Sequence, residues 1–384
     1  MIRTTIPGDE LLKKARNVGQ YYGFMPLAAL TAEARGARRP EDPKPGAPVS
    51  LAEFGALDGV GSAVASFLTQ CRSAGFVTPG RQPLFIWHTN LAAGRPVPKR
   101  VTIQFHAIAT ERALAEAVVI RALIALTRDL FHVEPSVRIN SMGDRETRAR
   151  YLRELGVFFK RRASALPEEC VIAARTDAFA AAELAILREC AENLPVPTEY
   201  LSDASRKRFE DLLEYLEATE TPYELARDLI SRGSLWNDTC FEIVAEGTRV
   251  AWGARYNELA RHVIGHTTGG MGAVLQIESS GPVLTATAQP RTRFVFMHIG
   301  EEAKRFSIQL AEEFKRAHLP LTQDIGIESL TEQMRLAEVR NPPYLIIMGR
   351  KEALEGTVIL RNRQTQEERI LPVLGLTERL KAIA

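Results

Sequence analysis

The sequence has almost no excess charge: 49 Lys and Arg against 47 Asp and Glu leave a formal net charge of +2 over 384 residues. That excludes binding to nucleic acid through overall charge, so any such binding must rest on local basic patches. Cysteine is scarce. Cys71, Cys170, Cys190 and Cys240 stand far apart with no C-x-x-C pair, which argues against a disulfide frame or a cysteine-held zinc and fits reduced thiols. Long apolar runs are missing too. The best candidate for a membrane span, residues 113–131, is interrupted by Arg121 and Arg128, and the start MIRTTIPGDELLKKAR has no apolar core of signal-peptide length. The reading is a cytoplasmic protein with no membrane association. There is no internal repeat and no low-complexity tail. Gly269-Gly270-x-Gly272 comes before a strand rather than a helix, so it is a turn and not a phosphate loop.

What is present is ordinary for a globular chain of two or three domains: 45% hydrophobic and 25% charged residues. Asp9 is placed to cap a helix over 10–22 that ends near Gly23, followed by an extended piece at Phe24–Leu27. Residues 35–50 are a Pro/Gly-rich loop, and 50–73 read as one helix or two. Leu84–His88 and Val101–Thr110 are strands joined by the basic turn LAAGRPVPKR, a long β-hairpin. Residues 113–131 predict a helix apolar on nearly all sides, buried against a sheet. Ser136–Asn140 is a strand. Residues 145–229 read as almost wholly helical, with Arg145, Arg148 and Arg150 as a solvent-exposed basic face. Strands return at 239–245, 251–254 and 272–278, and 279–292 reads as a linker. From Phe294 onwards strand and helix alternate, with the continuous apolar run Tyr344–Met348 as a central strand and a hairpin at 357–371, which predicts a small, mostly parallel α/β domain.

The last ninety residues resemble the anticodon-binding domain of class II aminoacyl-tRNA synthetases, the histidyl type in particular. The resemblance rests on Leu330, Gln333, Ala337, Ile347–Gly349, Gly356, Val358, Thr365 and the acidic pair Glu367–Glu368, although Arg350 and Lys351 replace the family's residues after Gly349. Upstream segments resemble the same family in the same order: ELLKKARNVGQYYGFMPLAAL (10–30), the hairpin 84–111 with QFHAIATE, RINSMGDRETRARYLREL (138–155), RGSLWNDTCFEIV (232–244), GARYNEL (253–259) and GGMGAVLQIES (269–279). The fold this implies is α+β: a class II synthetase-like antiparallel sheet with helices over 1–144 and 230–280, a helical insertion over 145–229, a linker over 281–292, and a C-terminal α/β anticodon-binding-like domain over 293–384.

The departures bear on chemistry. Joining a carboxylate to an α-phosphate needs fixed cations at the phosphates. Where the resemblance implies an arginine in the second motif, the chain has Trp87-His88-Thr89-Asn90; in the third, it has Gln276-Ile277-Glu278-Ser279. The glutamine after Phe-His is Ala107, and alternation would set Phe105, Ala107, Ala109 and Glu111 on one substrate-facing side of the strand. Arg232 matches the family's catalytic arginine. Glu111, His106 and Trp236 are the candidate pocket residues, with His106 read first as a buried, hydrogen-bonded side chain. Arg95, Lys99 and Arg100 in the hairpin turn, and Arg335, Arg350 and Lys351 with Arg340 in the C-terminal domain, are candidates for RNA or phosphate contact. No metal ligand set is visible, since His262 and His266 lack a third partner. The resemblance therefore implies a homodimeric paralogue of histidyl-tRNA synthetase without aminoacylation, binding tRNA or another RNA. Two alternatives are a divergent active ligase, which alone would call for ATP and magnesium, and a regulatory subunit of the ATP phosphoribosyltransferase kind.

Overall fold

The computed structural model describes residues 2–4, 6–31, 59–75, 77, 82–91, 100–230, 235–266, 268–279 and 292–383. Arg95, Lys99, Arg232, the 35–50 loop and nearly all of the 281–292 stretch lie outside the described residues. Nine strands form one sheet in the order β2 (Met25–Pro26), β3 (Leu84–Thr89), β4 (Arg100–Ile108), β9 (Gly270–Ser279), β8 (Thr248–Arg255), β7 (Asn237–Ala245), β5 (Ser136–Ser141) and β6 (Tyr223–Leu225), with β1 (Ile2–Thr4) beside β9. From β3 to β5 every neighbouring pair is antiparallel; β1, β2 and β6 join in parallel. Residues 145–229 are not wholly helical, because Tyr223–Leu225 returns to the edge of this sheet beside β5. Pro222 ends the preceding helical stretch and favours extended backbone around it.

One face of the sheet is closed by α1 (Gly8–Tyr21) and α3 (Leu114–Phe131). Along α3 nearly every side chain is buried, from Leu114 to Thr127, as its all-round apolar pattern predicts. The α1 helix starts after Pro7 rather than being capped by Asp9, whose carboxylate instead accepts the Glu10 amide within the first turn. Pro at that point fixes an extended entry, and Gly23, at φ +77, ends the element. Gly19 has a second requirement: a Cβ there would come within 2.8 Å of the Trp87 ring, so only glycine lets α1 lie this close to β3. The opposite face carries α2 (Gly59–Ala74) and α8 (Asn257–Ile264), and beyond them α4 (Arg145–Arg161), α5 (Glu168–Ala174) and α6 (Ala178–Leu187). The longer α7 (Asp203–Ala218) packs instead with α3.

The C-terminal module is a second sheet ordered β11 (Leu321–Gln323), β10 (Phe294–His298), β12 (Tyr344–Met348), β13 (Thr357–Asn362) and β14 (Glu368–Pro372). The first three strands are parallel and the last two form the antiparallel hairpin. It is covered by α9 (Glu301–Arg316) and α10 (Leu330–Arg340), with short α11 (Arg350–Glu355) and α12 (Leu376–Lys381). Its apolar face, through Phe294, Phe296, Ile308 and Phe314, is continuous with the core around α1 and α3.

Candidate functional site

Cross-strand register assembles the face under α2 into two rows. Side chains directly opposite on paired strands share a face, so the first row runs His88, Gln104, Val274, Trp252, Glu242, Arg138, Glu224. The second runs Ile86, His106, Gly272, Ala254, Cys240, Asn140. Apart from His106 and Asn140 the second row is small or apolar, and it is closed by α2. Phe67 stacks flat on the His106 ring with centroids 3.8 Å apart and planes 8° from parallel. The helical spacing Val64, Phe67, Leu68, Cys71 makes that lid, and all four are buried.

His106 is completely buried. Its Nδ1 lies 2.8 Å from the Tyr256 hydroxyl and its Nε2 3.0 Å from Oε1 of Gln104. With Gln104 presenting its carbonyl oxygen, Nε2 carries the proton, and the single Tyr256 hydroxyl proton is shared between Nδ1 and the Met271 carbonyl, 3.1 Å away. Burial, and then the neighbouring His88, push the imidazole well below its ordinary value, so the ring is neutral. Gly272 leaves room for it: a Cβ there would sit 2.1 Å from Nδ1.

The first row is more open. A cleft of about 450 Å³ runs between Val60 on α2 and the strands, lined by Glu242, Arg249, Trp252, Val274 and Gln276. Its cation Arg249, and Arg138 on the next strand but one, already have carboxylate partners. Arg249 and Arg138 reach opposite oxygens of Glu242 at 2.8 Å and 3.0 Å, and Arg138 also binds Asp228 at 2.5 Å. At the second-motif position, His88 is held below its ordinary pKa by burial and is neutral near pH 7. Trp236 is buried with its ring 4.6 Å from that of Trp252. No group of three or more His, Cys, Asp or Glu among the described residues is arranged to hold a metal ion.

Three expectations need correction. Phe105 and Ala107 do not face a substrate: they belong to the core packed under α1 and α3. The alternation also stops early, because β4 ends at Ile108 and Ala109 takes a φ of +60. Glu111 therefore leaves the strand; its side chain is 56% exposed and pairs with Arg208 at 3.7 Å. Arg148 is not on a solvated face. It turns inward over the Phe179 ring at 4.7 Å and donates to the Trp236 carbonyl.

The remaining candidates sit apart from this face. Arg100 is exposed where β4 begins, in register with Glu278 of β9. Arg350 and Lys351 are exposed at the start of α11. Arg335 pairs with Glu332 on its own helix, and Arg340 is held by Asp324. Phe67, Glu242, Trp252 and Arg249 were not singled out from sequence. Strand alternation sets Cys240 and Glu242 on one side, and that signal could have found the glutamate.

A strongly antiparallel sheet with helices is followed by a separate module over residues 293–383 that matches the Anticodon binding domain family, a part-chain match that makes the protein similar to class II synthetases. In sequence the chain is similar to histidine–tRNA ligases. It is 25% identical over 280 residues to the histidine–tRNA ligase of Fervidobacterium nodosum, covering 69% of this chain and 66% of the relative. It is 28% identical over 297 residues to that of a Geobacillus species, covering 73% and 70%. For Rubrobacter xylanophilus the figures are 29% over 270 residues, covering 67% and 62%. The chain thus spans about two thirds of the length of the curated relatives it matches. The crystal structure of apo S. aureus histidyl-tRNA synthetase aligns over 98% of this chain and 97% of its own, at 18% identity and a TM-score of 0.48.

Proposed function

We propose that this chain is a histidyl-tRNA-synthetase-like paralogue that no longer aminoacylates and that binds tRNA or another RNA, as a cytoplasmic homodimer. In this reading 1–144 and 230–280 form the catalytic-like domain, 145–229 the insertion, 281–292 a linker and 293–384 the RNA-binding module. One observation carries it. At the position where an activating enzyme of this class would present a fixed cation to phosphate, His88 is a neutral imidazole; Arg249 in the adjoining cleft is paired with Glu242, and Arg138 beside it with Glu242 and Asp228. A preorganised donor to a developing anion is worth about 10²–10³ in rate. Loss of two brings the deficit to the order of 10⁴, although such effects need not add. Phe67 over His106 and the core-facing Ala107 further support the loss of a histidine pocket.

The RNA contacts in this reading are Arg335, Arg350 and Lys351 in the C-terminal module, with Arg95, Lys99 and Arg100 at the hairpin. Arg232 is the one catalytic arginine it retains. The test is histidine-dependent ATP–pyrophosphate exchange by the purified full chain. Exchange at background, together with salt-dependent retention of tRNA on filters, is the expected result. Exchange clearly above background would establish the active-ligase alternative instead.

A further inference from the structure

Cys170 and Cys190 are far apart in sequence and side by side in the fold. Cys170 lies in the first turn of α5, and Cys190 follows the end of α6, so the short hairpin of these two helices brings them together. The end of α6 is built to turn Cys190 inward. The Glu189 amide donates to the Ile186 carbonyl at 3.0 Å and the Cys190 amide to the Ala185 carbonyl at 2.9 Å, the paired bonds of a Schellman cap. Such a cap needs a left-handed residue, and Glu189 takes a φ of +54 where glycine is usual. Arg188 then grips Glu169, the residue before Cys170, with Nε at 2.7 Å and a second nitrogen at 3.3 Å. The two thiols come within hydrogen-bond reach of each other, and both pack into one apolar cluster.

The four cysteines differ in access. Cys190 is partly exposed, whereas Cys71, Cys170 and Cys240 are buried. Burial pushes the Cys71 thiol up inside the α2 lid and the Cys240 thiol up to about 12, with its Sγ 3.7 Å from the carbonyls of Asn140 and Leu229. Burial, and then Cys190, push Cys170 up as well. Thiol reactivity follows thiolate character and access, so a small oxidant in solvent meets Cys190 first and finds Cys170 directly behind it. Among the described residues no further His, Cys, Asp or Glu completes a metal site with the pair.

We propose that Cys190 and Cys170 are a peroxide-responsive dithiol, in which Cys190 is the residue oxidised and Cys170 closes the disulfide. The Cys190 thiolate attacks one oxygen of hydrogen peroxide. The O–O bond breaks, hydroxide leaves and takes up the thiol proton as water, and Cys190 becomes a sulfenic acid. The Cys170 sulfur gives up its proton and attacks the Cys190 sulfur; the S–O bond breaks and the second hydroxide leaves as water. In sum, two thiols and one peroxide give one disulfide and two waters, with peroxide as the electron acceptor. The Arg188–Glu169 pair that joins the hairpin ends in the reduced chain is about half exposed and holds them weakly. The disulfide replaces it with a covalent closure that fixes α5 against α6, the helix whose Phe179 supports Arg148. This device does not depend on the RNA-binding reading.

The test treats the reduced full chain with hydrogen peroxide, then alkylates it and maps its peptides without reduction. Free thiols should fall from four to two, with one peptide pair joined through Cys170 and Cys190 and an intact mass lower by two hydrogens. Dithiothreitol should restore all four. Cys170→Ala should stop at a sulfenic acid on Cys190 that dimedone traps. In Cys190→Ser, oxidation of Cys170 should be at least about 10-fold slower than disulfide formation in wild type. Amide exchange over 168–190 should slow at least about 10-fold in the oxidised wild type; unchanged exchange overturns the fixing of α5. Survival of all four thiols, a bridge to Cys71, to Cys240 or to a second chain, or sulfinic acid at Cys190 with no bridge overturns the dithiol. The wild-type map alone decides this, so a variant that fails to fold does not shield the proposal.

Discussion

Three histidines show how burial, rather than any partner, sets chemistry at single positions here. His88 and His106 are both held neutral by desolvation, so the face they share has no imidazolium to offer a phosphate near neutral pH. His298, at the end of β10, is the case with a magnitude. It is fully buried, and its pKa falls from 6.5 to about 4, first through burial and then through Lys304, against partial opposition from Asp324 and Glu328. A base depressed in the folded state takes up protons more readily when unfolded, so its contribution to stability is complete above the unfolded value and is lost on acidification. Between roughly pH 7 and pH 5 that loss is about 2 kcal/mol for His298. His298→Gln, which cannot titrate, should unfold in urea with a pH dependence flatter by about that amount. An identical pH profile in wild type and variant would show that His298 takes up its proton equally in both states.

At the scale of elements, the join between α3 and β8 is the most exacting. Arg255 and Glu116 are both completely inaccessible to solvent and meet in two bonds of 2.5 Å and 2.7 Å. Arg255 also donates to the carbonyls of Thr110 and Arg112, which ties the turn after β4 to the sheet. Burial pushes the Glu116 carboxyl up, and Arg255 opposes that. Removing one partner of such a pair typically costs about 3–5 kcal/mol, because the other charge is left buried and alone. Glu116→Ala should lose that much in chemical denaturation, whereas Glu116→Leu/Arg255→Met should cost less than the sum of its single changes. Strict additivity would refute the pairing. The elements themselves were largely legible in sequence: β12 occupies the run Tyr344–Met348 as expected, and α3 lies within a residue of its predicted start. The candidate site was legible only in part. Period-two alternation assigned a face to Phe105 and Ala107, but it cannot say which face a helix covers, and it does not foresee a residue such as Ala109 at positive φ. The lid over His106 depends on where α2 lands, which is a tertiary fact no local pattern encodes. Arg148 was misplaced for the same reason, since its fate depends on Phe179 and Trp236, both distant in sequence.

The whole molecule is held as one body by contacts between the C-terminal module and the large sheet's helices. The hub is Glu312 on α9, whose side chain is 9% exposed. It accepts from the Tyr22 hydroxyl at 2.7 Å and from Arg128 at 3.2 Å, with Arg121 at 4.0 Å. Burial alone would raise its carboxyl, but the Tyr22 bond and the arginines reverse that and hold it below the usual range. Lys315 to Asp129 at 2.6 Å, Gln323 to the Tyr21 carbonyl at 2.8 Å and Tyr215 to Glu301 at 2.7 Å continue the seam. Beneath it the apolar core runs without a break from α1 and α3 into α9 and β10. A shared core and a buried polar hub couple the two parts, so wild type should melt in one calorimetric transition whose van't Hoff and calorimetric enthalpies agree. Glu312→Ala leaves the Tyr22 hydroxyl without its acceptor and Arg121 without its carboxylate, while Arg128 keeps Glu134, a loss of about 1–3 kcal/mol concentrated at the seam. The variant should melt in two steps, with cleavage by limited proteolysis appearing first between the sheets. Two transitions already present in wild type would mean that the seam is too weak to couple the module to the sheet, and that RNA bound at the C-terminal module could not be felt at the face beneath α2.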